Sequence, residues 1–457
     1  MAFLEALNRF VWGYPILILL LGVGGYLSLR TGFAQLRLLP RTIVKFIKNF
    51  KSSKDYGNSV SPFRALCTAL AATVGTGNIA GVAGAICLGG PGSIFWMWVS
   101  GLLGMVTKFA EVTLAVRYRR KSADGQMIGG PMYMICDGMG MRWKWLATTY
   151  AFFGVVASLG VGNATQVNAV IGGINSAIVG FGGKESVWGN VLMGLGLASL
   201  IGCILLGGAR RIGEAAEKLV PIASAIYLLL GAGVLMIRCN YLPSAFKQIL
   251  QGAFKPQAVT GGMIGSFVLT LNVGIRRGIF TNEAGMGTAS MAHATAITSH
   301  PVEQGMMGIF EVFLDTIVIC TMTALVILCS SIPIDYGVDS GVALTAIAFS
   351  SVYGSWVNIL LSAALVCFAI ATILGWGLYG MRCVQFLFGE HLWRYFAWIQ
   401  IVMVFLGAVL NTGIVWVLAE ILNGLMAIPN MIALMVLNPE FLILLRAYNQ
   451  LQIEKKY

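Results

Sequence analysis

The chain has few charged residues and few histidines for its length. Only 11% of its 457 residues are Asp, Glu, Lys or Arg, and only three are His, whereas soluble domains carry about 25% charged residues. The nine cysteines lie singly and form no CxxC pair, which excludes a disulfide scaffold and a cysteine metal cluster. These shortages exclude a cytosolic enzyme and a secreted disulfide-rich protein. We expect neither catalytic activity nor nucleic-acid binding.

Hydrophobic residues are abundant and come in long unbroken runs. They make up 58% of the chain, and the mean hydropathy is +0.82. A helix needs about 20 apolar residues to cross a bilayer. Hydropathy therefore predicts an all-α integral membrane protein with eleven spans, near residues 12–29, 62–88, 93–118, 145–180, 187–206, 213–238, 261–298, 303–331, 355–386, 392–411 and 413–436. The shorter apolar segment 341–353 is predicted to form a helix over the outer face.

Positive charge lies mainly in alternate loops, although the net charge of +12 alone would suggest an anionic partner. The basic residues follow the first, third, fifth and ninth spans and close the chain: Arg30, Arg37, Arg41, Lys45, Lys48, Lys51, Lys54, Arg117, Arg119, Arg120, Lys121, Arg142, Lys144, Arg210, Arg211, Arg382, Arg394, Lys455 and Lys456. Loops rich in Lys and Arg stay in the cytoplasm. We therefore predict a multi-pass protein with its N-terminus outside and its C-terminus in the cytoplasm, and we expect it in a bacterial-type inner membrane.

The first loop combines basic and apolar residues at helical spacing. Arg41, Lys45 and Lys48 share one face, and Ile43 and Ile47 lie largely opposite. This pattern is typical of a helix lying on an anionic leaflet. A merely solvated basic loop is the alternative.

Two predicted spans are interrupted by glycine and polar residues. The second reads TALAATVGTGNIAGVAGAI (68–86), and the seventh reads LTLNVGIRRGIFTNEAGMGTASMAHA (269–294). Five spans separate their starts, so the two halves would have opposite topology. Interrupted spans at matching positions of inverted halves are typical of a transporter's binding site. A dinucleotide fingerprint is excluded at GTGNIAG (75–81), because the third glycine is one position late and no strand precedes it.

The first interruption offers ligands of both signs. The N–H groups that begin its outer half suit a carboxylate, since the positive end of a helix dipole lies behind them. The carbonyl groups that end its inner half suit a small cation. One break in a membrane helix can therefore hold an anion and a cation side by side.

Polar side chains near the breaks allow two interpretations each. Arg276 and Arg277 either form a gate by pairing with acids such as Glu283, Glu311 or Asp315, or make a structural ion pair. Gln166 and Asn163 either complete a carboxylate site or form helix–helix hydrogen bonds. Lys108 and Glu111, three residues apart, are predicted to pair on one helix face.

Several longer motifs resemble those of the alanine or glycine:cation symporters, the sodium:alanine symporter family of the amino acid-polyamine-cation superfamily. They are TVGTGNIAGVAGAICLGGPGSIFWMW (73–98), TNEAGMGTASMAHATA (281–296), FLDTIVICTMTALVIL (313–328), ILGWGLYG (373–380) and NGLMAIPN (423–430). The resemblance covers nearly the whole chain. It implies a leucine-transporter-type fold, a 5+5 inverted repeat with one additional N-terminal helix. The expected parts are the extra helix (1–30), a basic amphipathic cytoplasmic loop (31–60), the first repeat (61–238), an outer loop (239–260), the second repeat (261–446) and a cytoplasmic tail (447–457).

The resemblance also implies a set of binding residues. The backbone amides of Thr76 and Gly77, with the Gln166 side chain, would hold the substrate carboxylate. An unwound stretch from Gly278 to Asn282 would accept the ammonium, with Phe280 lining the pocket and Thr281 beside it. Phe368 and Trp376 would cap the substrate side chain. Sodium would bind the carbonyls of Ala71 and Val74 and the hydroxyl of Thr372.

Three residues depart from the family pattern: Ala371 where a serine is expected, Met381 where Glu is frequent, and Glu420 where Asp is expected. The expected function is uptake of alanine of either hand or glycine with sodium, by alternating access. A proton-coupled carrier and a non-transporting amino acid sensor are the alternatives. We expect the lipid bilayer, the amino acid and sodium as partners, no cofactor beyond the coupling ion, and a functional monomer.

Overall fold

The computed structural model describes residues 2–51, 59–123, 125–180, 184–256, 266–338, 341–410 and 413–454. Its α-helices are Ala2–Val11, Tyr14–Arg30, Ala34–Lys51, Pro62–Thr73, Val82–Gly89, Ser93–Arg117, Pro131–Tyr133, Lys144–Leu159, Thr165–Gly180, Val187–Leu205, Gly208–Ile237, Leu242–Phe254, Phe267–Asn282, Thr288–His293, Pro301–Val312, Thr321–Cys329, Gly341–Tyr353, Val357–Phe388, Trp393–Val409 and Gly413–Glu454. Short π segments are Gly77–Gly81, Met134–Met139, Gly160–Ala164 and Phe313–Cys320; 3₁₀ turns are Met141–Trp143 and Cys239–Tyr241; the strands Arg120–Lys121 and Met127–Ile128 form one hairpin. Predictions for Lys54, Lys455, Lys456 and the start of the seventh span (261–265) lie outside these residues.

Among the described residues, eight helices are long and apolar enough to cross a membrane. A ninth span is formed if Pro62–Thr73 and Gly77–Gly89, which meet at an angle of 51°, are counted together. Gly341–Tyr353 and Trp393–Val409 are shorter apolar helices. Large apolar side chains such as Trp188, Leu229 and Met236 are more than 70% exposed on the long helices, as expected of a lipid-facing surface. The protein is therefore an all-α, multi-pass membrane protein, and the count of eleven and the 5+5 repeat stay predictions.

Two predicted spans continue beyond their predicted ends. The predicted last span, 413–436, is the first part of the helix Gly413–Glu454. The predicted tail from 447 continues this helix to Glu454, because neither Pro429 nor Pro439 ends it. The N-terminal span is likewise longer than predicted, and it consists of Ala2–Val11 and Tyr14–Arg30.

The basic first loop forms the amphipathic helix Ala34–Lys51. Its buried residues Gln35, Leu38 and Thr42 recur every three to four positions, the spacing of one helix face. Lys45 Nζ lies 3.1 Å from Glu303 Oε2, which joins this helix to Pro301–Val312. A helix, rather than a solvated loop, is thus present.

The helix Ser93–Arg117 is a central packing element. It packs against Phe267–Asn282 and Pro301–Val312 from the other half of the chain. Gly274 and Gly278, one turn apart, allow the close approach, because a Cβ atom there would lie 2.2 Å from Ser93 O and 2.1 Å from Ser100 Oγ. Small residues at this spacing are typical of helix contacts in membranes.

Candidate functional site

The first predicted break is present at the predicted residues. The helix Pro62–Thr73 ends, Val74 adopts an extended conformation with ψ of 104°, and a π turn begins at Gly77. The side chain of Asn78 fixes the break, because its Oδ1 accepts a hydrogen bond of 2.8 Å from the Gly75 backbone N–H. The lipid offers no such partner. The break is therefore held open by the chain's own polar groups.

The second break lies five residues later than predicted. Residues Gly278 to Asn282, expected to be unwound, complete the helix Phe267–Asn282. Glu283 ends it in the left-handed region with φ of 52°, and Gly285 and Gly287 follow with φ of 96° and 77°. The unwound stretch is consequently 283–287. The glycines inside the helix serve its packing and do not interrupt it.

The first break lies against the end of the helix that precedes the second break. A Cβ atom added to Gly77 would lie 3.3 Å from Thr281 Cγ2, so the first break approaches the end of the second helix. Asn78 Nδ2 donates to Asp315 Oδ1 at 2.7 Å, and Asn282 Nδ2 donates to Thr316 Oγ1 at 3.1 Å. Residues of both broken helices are thereby joined to the same turn of a third helix.

Two of the residues predicted to hold a carboxylate also lie together. Thr76 Oγ1 donates to Gln166 Oε1 at 3.3 Å, across 90 positions of the sequence. Gln166 is largely buried and begins a helix that follows the π turn Gly160–Ala164. Asn163 is engaged elsewhere, since its Nδ2 donates to Gln400 O at 3.0 Å. Gln166 therefore stays a candidate ligand, whereas Asn163 makes a helix–helix hydrogen bond.

The predicted sodium ligands lie around the same break. Thr372 Oγ1 donates to Ala71 O at 3.1 Å and to Phe368 O at 2.9 Å. Val74 is fully buried, and a Cβ atom at Gly75 would come within 2.9 Å of Thr372 Oγ1. The arrangement gathers a hydroxyl group and the last carbonyl groups of a helix, which are oxygen ligands suited to a small cation.

The aromatic candidates occupy different places. Trp376 is buried and packs on Gly162, where an added Cβ atom would lie 2.1 Å from Trp376 Cβ. Phe368 is also buried, 6.5 Å from the ring of Tyr227. The ring of Phe280, by contrast, meets Trp12 edge-on at 6.0 Å.

The charged residues pair differently from the prediction. Arg276 Nη2 lies 3.1 Å from Glu420 Oε1 on the last helix and does not meet Glu283, Glu311 or Asp315. The reason is that the helix continues through Arg276, which directs this side chain towards the N-terminal helices, 5.9 Å from the ring of Trp12. Arg277 lies on the same helix, one position further on.

The predicted pair of Lys108 and Glu111 is also wrong. Lys108 Nζ lies 3.3 Å from Glu311 Oε1, and Glu111 Oε1 instead accepts a hydrogen bond of 2.6 Å from Asn430 Nδ2. Helix packing brings Glu311 to Lys108, and both side chains are fully buried. A buried charge needs an opposite charge beside it, so packing rather than sequence spacing decides the pair. Glu283 is bound by Trp376 Nε1 at 3.0 Å and by Thr288 Oγ1 at 2.6 Å.

The sequence reasoning missed two residues that hold the second break and one that contacts Glu311. Asn430 Nδ2 donates to Gly285 O at 2.8 Å, and Tyr150 Oη donates to Met286 O at 3.0 Å. His293 Nε2 lies 3.0 Å from Glu311 Oε2. A polar residue inside an otherwise apolar span was the available signal. It did not identify the partner, which lies on another helix.

Together these features define an integral membrane protein with two interrupted helices around a polar centre. A model of the sodium:alanine symporter family matches residues 1–457. The chain belongs to the sodium:alanine symporter family.

Curated relatives match over almost their full length. An uncharacterised transporter of Haemophilus influenzae is 43% identical over 94% of this chain and 92% of its own length. The sodium/alanine symporter AgcS of Methanococcus maripaludis is 40% identical over 98% of this chain and 97% of its own. A probable sodium/glutamine symporter, GlnT of Bacillus subtilis, is 37% identical over 97% and 89%. The chain is therefore similar to cation-coupled amino acid symporters.

Proposed function

We propose that this protein imports alanine of either hand, or glycine, together with sodium by alternating access. The observation that carries the proposal is the contact of the first break with the end of the helix Phe267–Asn282, with Gly77 against Thr281, and the bond from Asn78 to Asp315. An amino acid needs a donor group for its carboxylate and acceptor groups for its ammonium. The start of one half-helix and the end of the other supply these groups in one place.

The carboxylate would bind at the Thr76 and Gly77 amides with Gln166. The ammonium would bind the carbonyl groups that end the helix Phe267–Asn282, at Phe280, Thr281 and Asn282. An intact helix leaves its last carbonyl groups without intrahelical partners, so the corrected position of the break supports this role. Gly278, which packs against Ser100, contributes spacing rather than a ligand.

Selection for a small substrate would come from close packing. Trp376 lies against Gly162, and Phe368 lies beside Thr372 on the same buried helix. A longer side chain would have to displace a buried aromatic ring. The relative named as a glutamine symporter makes substrate size the property to test first.

Coupling would arise from shared structure. The sodium ligands Ala71 and Val74 lie just before the break, and the carboxylate ligands Thr76 and Gly77 lie just after it. Each ligand would therefore favour the same arrangement of residues 74–77, which makes the binding of one strengthen the binding of the other. Ala371, which offers no hydroxyl group, leaves Thr372 as the side-chain ligand in this proposal.

An ion-replacement assay in proteoliposomes tests the proposal. Labelled alanine should accumulate against its gradient with sodium outside, and not when choline replaces sodium at constant pH. Unlabelled glycine, both alanine enantiomers and serine should compete, and glutamine should compete weakly. Accumulation driven by a proton gradient without sodium would show that the coupling ion is a proton. Uptake that does not depend on either gradient would overturn symport.

The same proposal places the protein in a bacterial-type inner membrane as a functional monomer, with its N-terminus outside and its C-terminus in the cytoplasm. The basic loops support this orientation. Cysteines introduced at exposed positions near each end, labelled with a membrane-impermeant maleimide, would measure it. Labelling of an N-terminal position from the cytoplasmic side would show that the orientation is the reverse of the one proposed.

A further inference from the structure

A cavity outside the transport site collects basic and polar groups. It has a volume of about 290 Å³ and is lined by Ser122, Gln126, Gly208, Arg382, Gln385 and Arg394, among others. These residues come from loops and helix ends that carry the chain's positive charge, the face that the positive-inside rule assigns to the cytoplasm. We call it the basic cavity.

Arg382 is the central group of the basic cavity. Its side chain is 4% exposed, and its Nη1 donates to Gln385 Oε1 at 2.8 Å. Among the described residues, its Nε and Nη2 atoms have no hydrogen-bond partner. A buried guanidinium with unused donors is costly unless an anion meets it.

The acid Glu390 follows on the same stretch of chain and is already engaged. Its Oε2 accepts a hydrogen bond of 2.6 Å from the Ala123 backbone N–H. Glu390 also lies outside the lining of the basic cavity. The guanidinium donors therefore remain available to a ligand.

A helix N-terminus contributes to the same cavity. Gly208 and Ala209 line it and begin the 30-residue helix Gly208–Ile237. The first N–H groups of a helix have no partners within it, and the positive end of the helix dipole adds to their attraction for anions. Gly208, with φ of 66°, gives the sharp turn that brings this end to Arg382.

The setting also suits a lipid headgroup. Trp393 and Arg394, which line the basic cavity, also line a neighbouring open cavity with Tyr395 and Trp398. Tyr395 is 69% exposed and Trp398 57%. Exposed Trp and Tyr are enriched at the level of the headgroups.

We propose that the basic cavity binds a phosphate-type oxyanion. Arg382 and Arg394 would neutralise its charge, and the N–H groups of Gly208 and Ala209 with the polar groups of Ser122 and Gln126 would bind its oxygens. Arginine forks fit two phosphate oxygens at once. The phosphate can belong to an anionic phospholipid or be free in solution, and the same chemistry serves both.

The site goes beyond the proposed transport function, yet one helix links the two. Arg382 lies six positions after Trp376 and ten after Thr372 in the helix Val357–Phe388. A bound anion would fix the end of the helix that carries these residues. Occupancy would thus stabilise the folded protein without contacting the substrate.

The test measures thermal unfolding of purified full-length protein in a neutral detergent. Inorganic phosphate, short-chain phosphatidylglycerol and short-chain phosphatidylcholine are titrated separately into wild type, Arg382→Gln and Arg142→Gln. Arg142 is the matched control, since it is exposed on the same basic face and does not line the cavity. Arg394→Gln provides a second cavity variant in case Arg382→Gln does not fold.

We expect phosphate or phosphatidylglycerol to raise the melting temperature of wild type saturably. Arg382→Gln or Arg394→Gln should weaken that binding by about tenfold or more, and Arg142→Gln by less than about twofold, as loss of one charge-assisted contact predicts. A response to phosphatidylglycerol alone identifies a lipid, and a response to inorganic phosphate alone identifies a soluble anion. No saturable response in wild type, equal responses in the cavity variants, or an equal response to phosphatidylcholine overturns the proposal.

Discussion

Asn78 and Asp315 join the two halves of the chain: Asn78 Nδ2 donates to Asp315 Oδ1 at 2.7 Å, across 237 positions of the sequence. Oδ1 of the same Asn78 side chain accepts from the Gly75 N–H. One amide therefore holds the first break open and ties it to the helix beside the second. A movement that separates the first break from Asp315 breaks this contact.

Asn78→Ala should weaken alanine binding by about tenfold or more, because it removes the hydrogen bonds to Gly75 and Asp315, and the loss of each buried hydrogen bond costs about 1–3 kcal/mol. Equilibrium binding of labelled alanine to purified protein measures the effect. Asn175→Ala is the control, since that amide donates to Asn190 at 2.9 Å, away from both breaks. Equal effects of the two variants would show that Asn78 has no special part in the site.

Gln166→Ala should weaken alanine binding, because the side chain that meets Thr76 at 3.3 Å would no longer be available to the substrate carboxylate. We expect a loss of about fivefold or more from one polar contact. Gln248→Ala, at a half-buried position of the helix Leu242–Phe254, is a matched control. Unchanged binding would remove Gln166 from the site.

Arg276→Ala and Glu420→Gln should slow transport more than they weaken equilibrium binding. The pair joins the helix of the second break to the last helix at 3.1 Å, and breaking it alters how these helices move. Initial uptake rates and binding constants are compared for each single variant and for the double variant. Because both changes break one interaction, their effects should not add, and fully additive effects would contradict a shared role.

Arg277→Ala should also change transport more than binding if this second arginine belongs to the gate. Uptake and binding are measured as for Arg276. Wild-type rates in both arginine variants would dismiss a gate at this helix.

Lys108→Met should lower the free energy of unfolding by about 3–5 kcal/mol, because it leaves Glu311 buried without its cation. The unfolding midpoint in detergent measures the loss, and Lys108→Met with Glu311→Gln should recover part of it. Arg117→Met is the control. Both Arg117 and its partner Glu440 are partly exposed, so this variant should lower the free energy of unfolding by only about 0–1 kcal/mol. A similar loss in the Lys108 and Arg117 variants would show that the buried pair has no special structural role.

Gly162→Ala should reduce alanine uptake strongly, because the added methyl group collides with Trp376. Gly196→Ala, with no neighbouring atom within 4 Å of the added carbon, is the control. Uptake is normalised to the amount of folded protein. Equal activity of the two variants would show that the position of Trp376 is not critical.

The first break could be predicted because its cause is local. Gly75, Gly77 and Asn78 interrupt an apolar run, and the Asn78 side chain itself accepts the hydrogen bond of the Gly75 N–H that the helix no longer satisfies. The second break was misplaced because Gly274 and Gly278 looked the same in sequence. Their role is set by Ser93 and Ser100 on another helix, which the sequence does not reveal.

Charge pairing shows the same limit. Lys108 and Glu111 have the spacing of a helical ion pair, yet Lys108 meets Glu311, 203 positions away. The departure at Glu420 could be noticed from the sequence, but its contact with Arg276 depends on how the last helix packs. Residue type predicted where polar chemistry occurs, and packing decided which groups meet.

Glu283 occupies a backbone conformation that glycine adopts more readily. Its carboxylate, however, is the acceptor for both the Trp376 indole and the Thr288 hydroxyl, and glycine would supply neither contact. The second break is therefore anchored by a residue poorly suited to its own dihedral angles. The two side-chain hydrogen bonds of residue 283 thus offset the free energy that its left-handed backbone conformation costs.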